Sequence, residues 1–480
     1  SKLMPVVSNI KLKLLGVVML NFYIRAVLIL TASLMATHAL SQDMRGWSDK
    51  TVCRLLIEDP DNTDYFQEAE WRGLDCASSK GNATKVTEEN AKSDAIGSAD
   101  LDGLIGSIDL KGRIGSIDLE GRMEEFTQSP FSIMEICSYY SNSGEELQVL
   151  KTLNPKAGYG GSDPRIQPIS NRLLDITAAC FAGSQIACHT GIASLKKYAE
   201  LDAPREKAFI TKEKRTANDY IMNTSFISPA INFLSVYNRE IGLTESELAV
   251  FDQWLKNITK RYRKEGFHSN NRPNQIEHGH NERWAAQNHY ISSNISSAAL
   301  GAWLGDPILL NYGVKQWKLT LGTMRSDGSL PHETARGSRA ILYSGYTITK
   351  LVRLAEIFRQ QGVDLYSTEV NGKSIHDNIS FYLDVMQNPE IVHKYAKYDV
   401  NSGGDISYKD QEEIWGWSSG HHAWIAPYML RFPSHPNTMR LQKFSGKENK
   451  HTKNLVDVIQ KGYGGTYGLD AHSRCFYSKI

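Results

Sequence analysis

A chain of 480 residues with 41% hydrophobic and 22% charged content can bury a large core, which sets it apart from disordered proteins. Its formal charge of +1 excludes bulk attraction to nucleic acid or acidic membranes and leaves room only for a local basic cleft. The 22 tyrosines and 9 tryptophans suit a core first and sugar-stacking surfaces second.

Near the N-terminus, "MLNFYIRAVLILTASLMATHALSQ" places Arg25 before an apolar run, Ala26 to Ala36, with small residues at Thr37-His38-Ala39. That order predicts a secretory signal peptide within residues 1–39, with Met19 as a candidate start. The run is short for a membrane span, so no stable span is expected after cleavage; an uncleaved anchor is the alternative. The expected location is the bacterial periplasm or the medium. In such an oxidising compartment the six cysteines can pair, and Cys53–Cys76 and Cys180–Cys188 are the expected bridges. No CxxC suggests a zinc ribbon or a redox site.

Cys53 and Cys76 bracket a small polar module, residues 40–92. Its end, Tyr65-x-x-Glu68-Ala69-x-x-Arg72-Gly73-Leu74-x-Cys76, resembles small Cys-bounded modules of exported bacterial proteins. A repeat of period nine follows within residues 93–125: "IGSADLDGL", "IGSIDLKGR", "IGSIDLEGR". Its alternating apolar residues predict short stacked strands or turns, serving as a linker or docking strip. The module and repeat together suggest a docking partner.

From there to about residue 440 the texture is helical. Thr244 and Glu247 form a capping box ahead of an apolar stripe through Leu248, Phe251, Leu255 and Ile258. Asp306 and Pro307 open another helix, and a third runs through Leu351, Leu354 and Phe358 to stop at Gly362. Nine or ten such segments between Ile169 and Arg431, with no convincing strands, predict an all-α fold of antiparallel helix hairpins arranged as a toroid or incomplete barrel over residues 126–440. The Lys-rich tail, residues 441–480, reads as peripheral.

There is no GxGxxG after a strand, no Walker lysine loop and no HExxH, so nucleotide and zinc-protease chemistry lose their usual signatures. Two polar clusters remain. One is "QNHY", residues 287–290; the other is "DGSLPHETARGSRAILYSGY", where Arg336 and Tyr343, and likewise Arg339 and Tyr346, stand seven apart. On a helix, residues at that interval face the same way. Asn, His, Arg and Tyr suit β-elimination on a uronic-acid polymer. Asn and Arg neutralise the carboxylate while its neighbouring C5 proton is removed, and His or Tyr supplies the base and the acid. This chemistry calls for neither a metal nor an organic cofactor.

These segments resemble polysaccharide lyase family 5, the alginate lyases, whose chains carry Asn-Asn-His-x-Tyr-Trp and later Gly-Phe-Leu-Pro-x-Glu-x-x-Arg-x-x-Arg-Ala-Leu-x-Tyr-His-x-Tyr. "QQGVDLY" (360–366) and "AWIAPYML" (423–430) resemble further family stretches in the same order, so the likeness covers roughly residues 145–435. The resemblance implies an (α/α) toroid that cleaves poly-mannuronate or alginate, an anionic polysaccharide. It implies Asn288 as carboxylate neutraliser, His289 and Tyr343 as acid-base residues and Arg336 as their companion. "KAGYGGSDPRIQ" matches the family's lid loop in position, which makes Lys156, Tyr159 and Arg165 candidate polymer contacts. Trp284, Tyr290, Arg339, Tyr346, Trp424 and Tyr428 complete the candidate substrate-binding set. Gln287, Ile291-Ser292 and Ser344 depart from the family pattern at positions that line its groove, which leaves the favoured uronate open.

Other readings carry less. Glu277, His278 and His280 with His289 have irregular spacing for zinc. His421 and His422 read as a groove rim. An (α/α) glycoside hydrolase needs a carboxylate pair, and only Asp327 and Glu333 lie near the motif. The same residues are also compatible with a lyase for another uronic-acid polymer, or with a non-catalytic polyuronate-binding scaffold.

Overall fold

The computed structural model describes residues 109–129, 132–137, 146–153, 163–206, 218–263, 288–397, 407–411, 420–461 and 472–477. The signal-peptide region, the Cys53–Cys76 module and the first repeat copy lie outside them. The described residues fall within one compact unit, Val86–Ile480.

Helices dominate, and the described strands are the two-residue pair Thr152–Leu153 and Arg205–Glu206. Helix Ile166–Phe181 pairs with Gln185–Glu200, and Asn288–Leu304 with Pro307–Gly322. Helix Ala340–Gln360 packs on Asn288–Leu304 and on Ile375–Gln387. These hairpins make the expected (α/α) toroid. The predicted starts hold: Thr244 and Glu247 exchange hydrogen bonds as a capping box, and Asp306 caps the helix opened by Pro307. Among the described residues no helix is long and apolar enough to cross a membrane.

Helix Asn288–Leu304 runs through the middle of the fold. It is enclosed on every side although it carries Ser292, Ser293, Asn294, Ser296 and Ser297. Three of the hydroxyls are paired: Ser292 donates to the Asn288 carbonyl (2.8 Å) and Ser297 to Ser293 O (3.1 Å) within the helix, and Ser296 to Asn223 O (3.0 Å) on a neighbouring one. Paired in this way, small hydroxyls are tolerated where a helix is buried all round.

The third repeat copy departs from expectation. It forms no strand. Its Ser116 N donates to Asn232 Oδ1 (2.7 Å); at the end of the second copy Arg113 N donates to Trp303 O (2.7 Å), and Arg113 pairs with Asp252. Asp118, which pairs with Arg359, then caps a helix over Leu119–Gln128. The acidic cap and the helix-forming Leu-Glu-Gly-Arg-Met-Glu-Glu-Phe run outweigh the nine-residue alternation. The C-terminus is not peripheral either. Cys475, Phe476 and Tyr477 are buried, Cys475 is bridged to Cys137, and Arg122 Nε donates to Cys475 O (2.7 Å). The expected Cys180–Cys188 bridge is present.

Candidate active site

Asn288 opens the central helix and is 1% exposed. Its backbone N–H donates to Glu333 Oε1 (2.9 Å), and its Nδ2 lies 3.4 Å from each Glu333 oxygen. Lys350 Nζ donates to the Asn288 carbonyl and to Oδ1, both at 3.1 Å, and to the Tyr220 hydroxyl at 3.2 Å. His289 stacks on Tyr220, with centroids 4.3 Å apart and planes 30° apart.

Glu333 belongs to the single helical turn Pro331–Thr334, and the chain then breaks. Arg336 has φ −125° and ψ 28°, Gly337 has φ +56°, and a 3-10 turn over Gly337–Arg339 leads into helix Ala340–Gln360. Only glycine takes Gly337's left-handed conformation without steric cost. Arg336 and Tyr343 therefore do not share one continuous helix, as their spacing suggested. They meet nonetheless, because the turn folds the guanidinium back until Cζ lies 3.9 Å over the Tyr343 ring. Arg336 is 2% exposed, and its Nε and Nη1 find no acceptor among the described residues.

Tyr346 follows one turn on, its ring 6.4 Å from Tyr343, and packs against His421 with centroids 3.6 Å apart. These contacts gather Asn288, His289, Arg336 and Tyr343 into one cluster with Tyr220, Glu333, Tyr346, Lys350 and His421. Burial pushes the Glu333 carboxyl up, opposed by Arg336 and Lys350. Burial also raises the Tyr220 phenol well above its ordinary value, helped by the neighbouring Tyr346, Tyr343 and Glu333. It drives His421 far down, so that imidazole stays neutral. Two cations, Arg336 and Lys350, against one carboxyl leave the cluster suited to an anion.

The remaining candidates divide. Arg165 is held by Asp163 and by the Thr152 carbonyl (3.1 Å). Tyr290 and Arg339 are half-buried next to the site residues in sequence. Trp424 and Tyr428 are corrections: both are fully enclosed, and the Tyr428 hydroxyl is hydrogen-bonded with His376 Nδ1 (2.7 Å). Neither has a face left for a sugar. His421 and His422, expected at a rim, are buried too. Ile291, Ser292 and Ser344 are also buried, with Ser344 Oγ donating to Ala340 O (2.8 Å), so these departures from the family pattern do not face an open groove. Lys156, Tyr159, Trp284, Glu277, His278 and His280 lie outside the described residues. Asp327 is engaged by Tyr395 (2.6 Å) and Lys394 (3.2 Å), while Glu333 serves Asn288.

Sequence reasoning missed Tyr220 and Lys350. Nothing in "NDYIMNTS" marks Tyr220. Lys350 did carry a signal: Tyr343, Tyr346 and Lys350 fall at i, i+3 and i+7, one stripe of a helix.

Residues 199–392 match a sequence model of the family described as alginate lyase. A polysaccharide lyase of Stenotrophomonas maltophilia is 26% identical over 157 residues, covering 32% of this chain and 43% of the relative. An alginate lyase of Pseudomonas syringae pv. syringae is 29% identical over 156 residues, covering 32% of this chain and 35% of its own. The chain thus spans less than half the length of these curated relatives. Among solved structures, an apo-form variant of alginate lyase A1-III superposes with a TM-score of 0.54 at 16% identity, covering 78% of this chain and 98% of that one. A1-III from Sphingomonas species A1 gives 0.53 at 18% identity, covering 70% and 92%. At such identities the likeness establishes the fold.

Proposed function

We propose that the protein, whose residues 199–392 match the alginate lyase family model, cleaves mannuronate-containing alginate by β-elimination. One observation carries the reading. A buried guanidinium, Arg336, has two donors without an acceptor among the described residues and is stacked on a tyrosine ring. Buried donors are ordinarily paired, so an unpaired set beside a candidate base suits an anionic substrate.

In the proposed reaction the uronate carboxylate lies against Arg336 and the Asn288 amide, which stabilise the charge that develops as C5 loses its proton. The C5–H electrons form the C4=C5 double bond, the C4–O4 bond breaks, and O4 takes up a proton. In mannuronate the C5 proton and O4 leave from the same side, so Tyr343 can serve as base and then acid. His289 orients and polarises the sugar, or is the base for the epimeric uronate. The remaining contacts along the polymer fall to Tyr290, Arg339 and Tyr346 with Lys156, Tyr159 and Arg165.

Export belongs to the same proposal, since a polymer of this size is met outside the cytoplasm. The signal-peptide pattern supports it, and so do the Cys137–Cys475 and Cys180–Cys188 bridges, which persist in oxidising compartments.

The test is direct. Purified protein is incubated with poly-mannuronate, poly-guluronate and hyaluronan while far-UV absorbance of the unsaturated product is followed. A rise with poly-mannuronate supports the reading, and a rise only with another polymer moves the substrate. New reducing ends without absorbance mean hydrolysis, and no change in either means a binding protein; both refute the proposal.

A further inference from the structure

Lys350 has no part in the reaction as drawn, yet it is the most fully enclosed lysine at the site, at 2% exposure. A lysine is rarely buried unless its ammonium is met by acceptors. Here three oxygens stand around Nζ for its three N–H donors: the Asn288 carbonyl, Asn288 Oδ1 and the Tyr220 hydroxyl. The Tyr220 and Tyr346 rings flank it, with centroids 4.6 and 5.6 Å from Nζ. Two of the three oxygens belong to one residue, and the third belongs to the phenol on which His289 stacks.

An ammonium only donates, so it distinguishes the two ends of a carboxamide. With Oδ1 held on Nζ, the Asn288 NH2 group must turn the other way. There it meets the Glu333 oxygens at 3.4 Å, long for hydrogen bonds and therefore easily surrendered to a closer acceptor. Without the ammonium only the long Glu333 contacts oppose a turn of the amide, and a turned amide would present an oxygen to the substrate carboxylate in place of a donor.

We propose that Lys350 is a positioning residue for elimination: it locks the Asn288 amide with its NH2 group toward the substrate carboxylate and holds Tyr220, the seat of His289, in the same grip. The inference rests on the reading of Asn288 as carboxylate neutraliser. Its sequence mark is the Tyr343-Tyr346-Lys350 stripe, which sets the ammonium about two turns beyond the reacting phenol.

A double-mutant cycle tests it. Loss of one preorganised donor costs about 10²–10³ in kcat, so Asn288→Ala should fall in that range. Lys350→Met, near-isosteric and uncharged, should lower kcat about 10- to 100-fold with little change in KM, because the aligned donor acts on the developing charge. In the Asn288→Ala background the same Lys350→Met change should cost less than about twofold. A merely structural lysine would give additive losses, and an unchanged kcat in Lys350→Met would be equally fatal.

A second readout needs no substrate. In protein labelled with 15N at asparagine, the Asn288 side-chain amide signals should move and lose exchange protection in Lys350→Met. Unmoved signals overturn the inference whatever the assay shows. If wild type cleaves no uronate polymer, the functional reading fails on its own, and the spectrum still judges the lock. Should Lys350→Met not fold, Lys350→Arg keeps the charge but cannot aim three donors from one point. It should show the same amide shift, and wild-type signals there would refute the lock.

Discussion

Replacing Arg336 by methionine sets catalysis against stability. The guanidinium is enclosed, and its Nε and Nη1 lack acceptors among the described residues. Each buried donor left unpaired costs about 1–3 kcal/mol, so two cost about 2–6 kcal/mol. Against this stands the stacking of Cζ over Tyr343, worth about 0.5–2 kcal/mol. Attraction to Glu333 is also lost. That carboxyl is already pushed up by burial, however, and without Arg336 it takes a proton more readily, which limits the loss. Arg336→Met should therefore fold within about 2 kcal/mol of wild type, or be the more stable protein, while kcat drops about 10²–10³-fold. Urea unfolding followed by tryptophan fluorescence and initial rates of product absorbance supply the two numbers. A loss above about 4 kcal/mol with kcat retained would make the guanidinium a structural clamp and refute the reasoning.

Three further outcomes are expected. Tyr343→Phe keeps the ring under Arg336 and removes only the hydroxyl, so it should cut kcat about 10²–10⁴-fold without unfolding. Tyr346→Phe should be milder in the same rate assay, and equal losses would show that the acid-base residue was misassigned. Burial holds His376 and His451 at about 4 and His422 at about 3, against an ordinary 6.5. A histidine lowered on folding keeps its stabilising contribution above pH 6.5 and loses it as pH falls toward the folded value. Urea midpoints should thus decline from about pH 6.5 to about pH 4, with protons taken up on unfolding by these three and by His421, which burial lowers as well. Glu333, raised, works in the opposite sense but is one group against four; a flat profile would contradict the burial argument. A Cβ on Gly115 would stand 2.0 Å from Asn232 Oδ1. Gly115→Ala should cost about 1–3 kcal/mol and speed proteolysis of the third repeat copy, and unchanged rates would mean that this copy is not seated there.

Much of the helical scaffold was legible because its signals are local. A capping box, an Asp-Pro start and a 3.6-residue stripe each act within a turn or two, and helices begin where they say. The site was half legible. Spacing offered Arg336 with Tyr343 and Arg339 with Tyr346, and the family resemblance singled out the first pair, which a glycine turn rather than a continuous helix brings together. Tyr220 was invisible because stacking on His289 depends on packing between helices distant in sequence. Trp424 and Tyr428 misled for the reverse reason: an aromatic that suits a sugar also suits a core, and composition cannot separate the two. The third repeat copy misled because alternation favours strands only where a neighbouring strand exists, and here its neighbours are helices.

The Cys137–Cys475 bridge has a topological consequence. It joins positions 338 apart, so everything between them forms a covalent loop that includes every residue of the candidate site. A single peptide-bond cut within that loop cannot release a fragment; it yields an opened chain whose two pieces stay tethered and can anneal. In a protease-rich milieu such a molecule outlasts its first wound, and only a second cut or a reductant sets a piece adrift.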